Sequence, residues 1–289
     1  MNRRKFLESI AAVSAVQGTS LAAPAGTKAR LRTAICAYTF RTALGKKSMT
    51  YDDLVRLAVE VGADGLDLTV YWFPSTTDEF LLPLRRLAYR NGVELYSIAI
   101  RSDMCRPTPE TRDQEVAEVK KWVDVAARLG AGHIRVFGGA VPKGASEDTA
   151  AGWVVEVLKR GADYSGRHGV ILGLENHGGI TARAARIQEI VKRVDSPWVG
   201  VNLDTGNFDQ DAYAQIEMLA PHAVNVQFKS DIRDASGGRV PSDWERIVTM
   251  LAKSGYKGYL SLEYESREDP AVAVPRLIPR LNELARKHS

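Results

Sequence analysis

The chain is poor in sulfur and in histidine: 289 residues carry two cysteines and five histidines. Two cysteines, Cys36 and Cys105, cannot build a disulfide-dense scaffold; they read as two separate thiols, with a single disulfide between them as the alternative. No apolar run outside the first 28 residues reaches the roughly 20 residues a membrane-spanning helix needs, so no stable membrane anchor is expected in the mature chain. No dense Lys/Arg run follows the N-terminus, and the formal net charge is only +4. A nucleic acid or other polyanion is therefore not an expected partner. No linker rich in Pro, Ser or Gly divides the chain, which implies one domain. No Gly-x-Gly-x-x-Gly turn follows the first expected strand, which disfavours an open, doubly wound nucleotide-binding sheet.

What is present begins with an unusual N-terminus. Asn2-Arg3-Arg4-Lys5-Phe6-Leu7 is basic, Ile10 to Val16 is apolar and small, and Leu21-Ala22-Ala23-Pro24-Ala25 offers small residues for cleavage. That order describes an export signal, and the paired arginines before Phe-Leu resemble a twin-arginine signal. Residues 1–28 are accordingly read as leader and residues 29–289 as a single barrel domain. The mature protein is expected outside the cytoplasm.

From residue 31 onward, short apolar runs alternate with segments of helical period. The spacing predicts strands at Thr33–Thr39, Gly65–Val70, Val93–Ile100, His133–Phe137, Val170–Glu175, Val199–Leu203, Ala223–Phe228 and Tyr259–Glu263. Helices are expected between them. Thr50 before Tyr51-Asp52-Asp53 gives an N-cap with acids in the first turn, and Gly130, Gly169 and Gly255 stand where helices should stop. Eight alternating β and α units predict an α/β fold with parallel strands, closed as a (β/α)8 TIM barrel. The polar, Gly-containing stretch Asp231–Val240 reads as a loop over the barrel mouth.

In such a barrel the chemistry gathers at the C-terminal strand ends. The last four strands end in Glu175-Asn176-His177, Asp204-Thr205-Gly206-Asn207, Gln227-Phe228-Lys229 and Glu263-Tyr264-Glu265. Carboxylates converging on one mouth repel one another unless a cation lies between them. Oxygen donors suit Mn2+, Mg2+ or Co2+ better than a thiolate-type zinc site does. The expected metal set is Glu175, Asp204, Gln227 and Glu263. Each of these residues taken alone is as ordinary as a salt-bridge partner or a helix cap; the pattern over four adjacent strands carries the reading.

These motifs, with Asp64-Gly65-Leu66-Asp67-Leu68 on the second strand, resemble the sugar isomerase/epimerase superfamily of xylose isomerase-like TIM barrels. The resemblance spans about residues 31 to 285. It implies one divalent metal ion, Mn2+ first, with Mg2+, Co2+ or Zn2+ as alternatives. It also implies two catalytic glutamates, Glu175 and Glu263, which remove and return the proton on the carbon beside a carbonyl. The family's usual ligand on strand seven is histidine, and this chain has Gln227 there. His177, Asn207, Lys229 and Arg233 are expected to hold substrate, with Tyr71 and Trp72 (and Phe73) as an aromatic wall.

The activity implied is isomerisation or epimerisation of a sugar or keto-sugar through an enediolate. The same parts serve a lyase or hydratase on a keto-sugar or keto-glycoside, and a non-catalytic sugar-binding barrel is the third reading. Export argues against a sugar phosphate as substrate. A nuclease of the kind also found in this superfamily needs a histidine-rich centre and a basic groove, and this chain has neither. The expected partner is a small carbohydrate; self-association into a homo-oligomer is an open alternative.

Overall fold

The structure, a computed structural model, describes residues 30–289; the proposed export segment, residues 1–28, lies outside them. In chain order the elements are β1 (Arg30–Cys36), α1 (Arg41–Gly45), α2 (Tyr51–Val61), β2 (Gly65–Thr69), α3 (Asp78–Arg90), β3 (Glu94–Ala99), α4 (Pro109–Leu129), β4 (His133–Phe137), α5 (Glu147–Arg167) and β5 (Ile171–Glu175). There follow α6 (Ala184–Val194), β6 (Val199–Asp204), α7 (Ala212–Leu219), β7 (Ala223–Phe228), β8 (Asp231–Arg233), β9 (Arg239–Pro241), α8 (Trp244–Lys253), β10 (Lys257–Leu262) and α9 (Pro270–His288). Eight strands close into one barrel in the order β1-β10-β7-β6-β5-β4-β3-β2. All eight pairs are parallel. This is the (β/α)8 barrel that the alternation predicts. Among the described residues no helix is long and apolar enough to cross a membrane.

Local chemistry sets the element ends. Thr50 accepts from the Asp53 backbone N–H while the Asp53 side chain accepts from the Thr50 N–H, a reciprocal cap on α2. Thr108 caps α4, Pro109 starts it, and Gly130 ends it in the left-handed region at φ +82. Cys36 and Cys105 are unpaired and buried.

Two expectations shift. The first strand begins earlier, at Arg30, and ends at Cys36, where the chain tightens into a 3-10 turn over Ala37–Phe40. Thr39 drives that turn: its hydroxyl donates to the Leu262 carbonyl and accepts from the Tyr264 N–H, pinning the rim of β1 to the end of β10. The expected loop Asp231–Val240 is a hairpin, β8 against β9, and the helix after it starts at Trp244 behind the Asp243 cap.

The barrel interior has two characters. At its N-terminal end Tyr96 and Tyr259 stack, ring centroids 3.7 Å apart and planes 13° apart. With Ala34 they form an apolar cluster separate from the main core. Gly65 makes room for them, since a Cβ there would lie 2.9 Å from Tyr259 and 2.8 Å from the Glu94 carbonyl. Above this plug the interior is polar. Ser97 and His133 share a hydrogen bond at 2.8 Å, the Tyr96 hydroxyl donates to Asn225, and Asn225 donates to Asn202 at 2.8 Å.

Asp67 lies in that layer, fully buried, with one oxygen lacking a hydrogen-bond partner. Burial pushes its carboxyl from 3.8 up to about 6. The folded state therefore favours the protonated acid, and ionisation costs it on the order of 3 kcal/mol. This contribution to stability is intact below about pH 4 and is lost as the pH rises through about 6. Asp67→Asn is expected to gain that amount relative to the parent between about pH 4 and pH 7. Denaturant midpoints at the two pH values measure it, and an equal effect of the substitution at both would contradict the assignment.

Candidate functional site

The ends of β5, β6, β7 and β10 meet at one mouth. Glu175 ends β5, Asp204 ends β6, and Glu263 follows β10; all three are buried. Asp204 sits in a web of donors. Its Oδ1 accepts from the backbone N–H groups of Gly206 at 2.8 Å and Asn207 at 3.1 Å, and its Oδ2 accepts from Asn207 Nδ2 at 2.8 Å. The same Asn207 amide donates to Glu175 Oε1 at 3.1 Å. Asn176, next to Glu175, clamps the Asp204 backbone in both directions, at 2.7 and 2.8 Å. One short turn, Thr205-Gly206-Asn207, thus ties two carboxylates from adjacent strands.

Two buried cations answer the carboxylates. Arg135 in β4 places Nε 2.9 Å from Glu175 Oε2, with both side chains 5% exposed or less. The approach is within ion-pair distance but off hydrogen-bond alignment, so both atoms lack a true hydrogen-bond partner. Arg135 is fixed from its other side by the Ile100 carbonyl at 2.8 Å and the Tyr71 hydroxyl at 3.1 Å, and it lies 3.9 Å over the Phe137 ring. Lys229, the residue after β7, places Nζ 3.2 Å from Asp204 Oδ2 and 3.2 Å from Glu263 Oε1, and it also contacts Glu265. Glu263 Oε2 is buried with no partner.

With all four carboxylates ionised, the two buried cations would leave two negative charges over, and proton affinities shift against that state. Burial pushes Glu175 well above the ordinary carboxylate range; Arg135 offsets this only in part, and Asp204 and Glu263 add to the rise. Burial, with the Glu263 charge, pushes Asp204 up to about 7 against the pull of Lys229. Burial disfavours the Lys229 ammonium, but Asp204, Glu263 and Glu265 together outweigh it and hold the group charged. All three proton affinities thus rise, the carboxylates through burial and the ammonium through its acidic neighbours, and the cleft gathers perturbed titratable groups.

The expected substrate-holding residues are distributed unevenly. A cavity of about 250 Å³ is lined by Arg41, Asn207, Lys229, Arg233, Arg239 and Glu265, among others. A second, of about 230 Å³, is lined by His177, Gly178, Asn207, Phe208, Asp209 and Arg233, with Gly206. Asn207 and Arg233 lie on both, and the β8–β9 hairpin supplies part of the rim. His177 stacks on Phe137 at 4.2 Å, and burial and Arg135 lower its proton affinity. Tyr71 and Trp72 lie on neither cavity wall. Tyr71 reaches the site through Arg135, and Trp72 packs with Tyr38, centroids 6.0 Å apart. Phe73 packs away from the mouth against Tyr51 and Phe80.

Gln227 stands apart from the carboxylates in its polar contacts. Its Oε1 accepts from Asn202 Nδ2 at 2.8 Å, and its Nε2 faces Cys36 Sγ at 3.9 Å. A divalent ion suits the donors in kind: three buried carboxylates, an unpartnered Glu263 oxygen and surplus negative charge. The spacing differs, since among the described residues no three His, Cys, Asp or Glu side chains are gathered as a metal cluster.

Arg135, Asn202, Asn225 and Glu265 carry weight here and are absent from the residues expected to form the site. Their signal is a polar residue inside or just past an apolar strand, as in His133-Ile134-Arg135-Val136-Phe137.

Among solved structures, D-psicose 3-epimerase from Clostridium cellulolyticum H10 is similar at 18% identity and a TM-score of 0.70, covering 89% of this chain and 99% of that one. The probable 3-DHS dehydratase involved in petrobactin synthesis in Bacillus anthracis is similar at 16% identity and 0.66, covering 87% and 98%. A xylose isomerase-like TIM barrel protein from Mycobacterium smegmatis, solved in complex with magnesium, is similar at 17% identity and 0.68, covering 89% and 97%. At these identities the likeness establishes the fold. No curated protein matches the chain in sequence. Residues 55–284, most of the barrel, match the family described as "Xylose isomerase-like TIM barrel", and the chain belongs to that family.

Proposed function

We propose that the protein is an exported isomerase or epimerase that moves a proton at the carbon beside the carbonyl of a sugar or keto-sugar. The observation that carries this reading is the pair of buried glutamates, Glu175 and Glu263, at one mouth, each held against a buried cation. In the proposed reaction one glutamate takes the C–H proton and the other delivers a proton to the resulting enediolate. Arg135 and Lys229 stabilise charge on the carboxylates and on the developing oxyanion. Asn207 and Arg233, shared by the two cavities, orient hydroxyl groups, with His177 as a neutral hydrogen-bonding partner. Tyr71 sets Arg135, and Trp72 stiffens the adjoining rim.

One divalent ion, Mn2+ before Mg2+, Co2+ or Zn2+, would be held by Glu175, Asp204 and Glu263, with the Gln227 carbonyl as the weakest donor. When bound, such an ion polarises a carbonyl by holding neighbouring substrate oxygens. Export rests on the twin-arginine-like leader, and it favours an unphosphorylated substrate.

The same machinery serves elimination of water or of a glycosidic group, and a dehydratase shares the fold. The test is incubation of the purified protein with ketoses and keto-glycosides in D2O, followed by mass spectrometry. One deuterium gained with no other change of mass supports isomerisation or epimerisation. A product lighter by water or by the leaving group replaces that reading with a lyase. Sugar binding with neither outcome across the panel leaves a binding barrel.

A further inference from the structure

We propose that the Lys229 ammonium holds the place of the divalent ion and must leave it before the ion binds; this rests on the metal reading given above. Nζ lies 3.2 Å from one oxygen of Asp204 and 3.2 Å from one oxygen of Glu263, between two of the three carboxylates that would ligate. Its side chain is only 7% exposed, so solvent screens it little. The Asn207 amide bridges the remaining pair, Glu175 and Asp204. Donors therefore fill the space that ligand oxygens would share with an ion, in keeping with the absence of a gathered acidic cluster among the described residues.

The balance favours exchange rather than permanent occupancy. One monovalent charge answers Asp204, Glu263 and Glu265 together, and Glu263 Oε2 has no partner at all. A divalent ion and an ammonium cannot share the same carboxylates a few ångströms apart without strong repulsion. Lysine has a flexible four-carbon stem and a second place to go. It already contacts Glu265, whose side chain is 32% exposed, and both residues line the larger cavity. Ser230, on the same wall, has a buried hydroxyl without a partner. Metal loading would thus turn the ammonium away from Asp204 and Glu263 and toward Glu265 in the cavity assigned to substrate. Loading of the ion and arming of a substrate-facing cation become one event.

The experiment compares chelator-stripped parent with Lys229→Met, titrated with Mn2+ by calorimetry, alongside melting curves with and without Mn2+. Removing the competitor is expected to tighten Mn2+ binding roughly tenfold or more. The variant's melting temperature should also fall without the ion and rise further on adding it than the parent's does. If the variant is isolated only with Mn2+ present, Lys229→Gln, which keeps a polar head without the charge, serves in its place. Equal or weaker binding by the variant, with the parent still binding, overturns the placeholder and leaves the metal reading standing. Absence of binding by both overturns the two together and makes Lys229 the permanent cation of the site.

Discussion

Glu175→Gln and Glu263→Gln are each expected to slow deuterium incorporation beside the substrate carbonyl by about two to four orders of magnitude, the usual contribution of a positioned acid or base. The amide keeps the size of the side chain and removes its ability to carry the proton. Each variant is expected to stay folded, because the amide keeps the size and polar atoms of the side chain, and the Arg135 guanidinium left by Glu175→Gln is still held by the Ile100 carbonyl and the Tyr71 hydroxyl. Circular dichroism establishes that point, and the exchange rate then reports chemistry alone. A variant that keeps the parental rate removes its glutamate from the mechanism. Loss in one and retention in the other would assign both proton movements to a single carboxylate.

Arg135→Leu is expected to cost about 3–5 kcal/mol of folding stability, since it strands the Glu175 carboxylate in a buried position. The cost should shrink by at least about 1 kcal/mol when Glu175→Gln is present as well, because the orphaned charge is then gone. Denaturant unfolding of the parent, both single variants and the double variant measures this coupling. Additive costs would mean that Arg135 acts mainly through the Ile100 carbonyl, Tyr71 and Phe137.

The barrel was legible from the sequence because its two periodicities are unambiguous: apolar runs of strand length, then helices with caps such as Thr50 and stops such as Gly130. The convergence of Glu175, Asp204 and Glu263 followed from strand order alone, since adjacent strands of a barrel must bring their ends together. What pattern does not encode is the direction of a flexible side chain. Gln227 occupies the expected strand position, yet its amide turns to Asn202. Lys229 is expected from the sequence to hold substrate, and its ammonium instead reaches three acids. Arg135 was overlooked because a charged residue inside a short strand resembles an edge or a break. In a closed barrel it is an inward position on the β pleat, and its neighbours decide its meaning. The hairpin from Asp231 to Pro241 escaped detection for a related reason: strands of three residues are too short for any alternation to register.

The stacked tyrosines at the foot of the barrel make it a blind tube. Everything that reaches the carboxylates enters and departs by the same rim, shaped by the β8–β9 hairpin. In the proposed reaction, water displaced by an arriving sugar would have to escape past that sugar, and a finished product would bar the way of its successor until it had gone. Traffic through such a vessel is strictly one at a time. On the proposed function, product would compete with substrate for that rim, and its departure would bound the cycle however fast the proton moves.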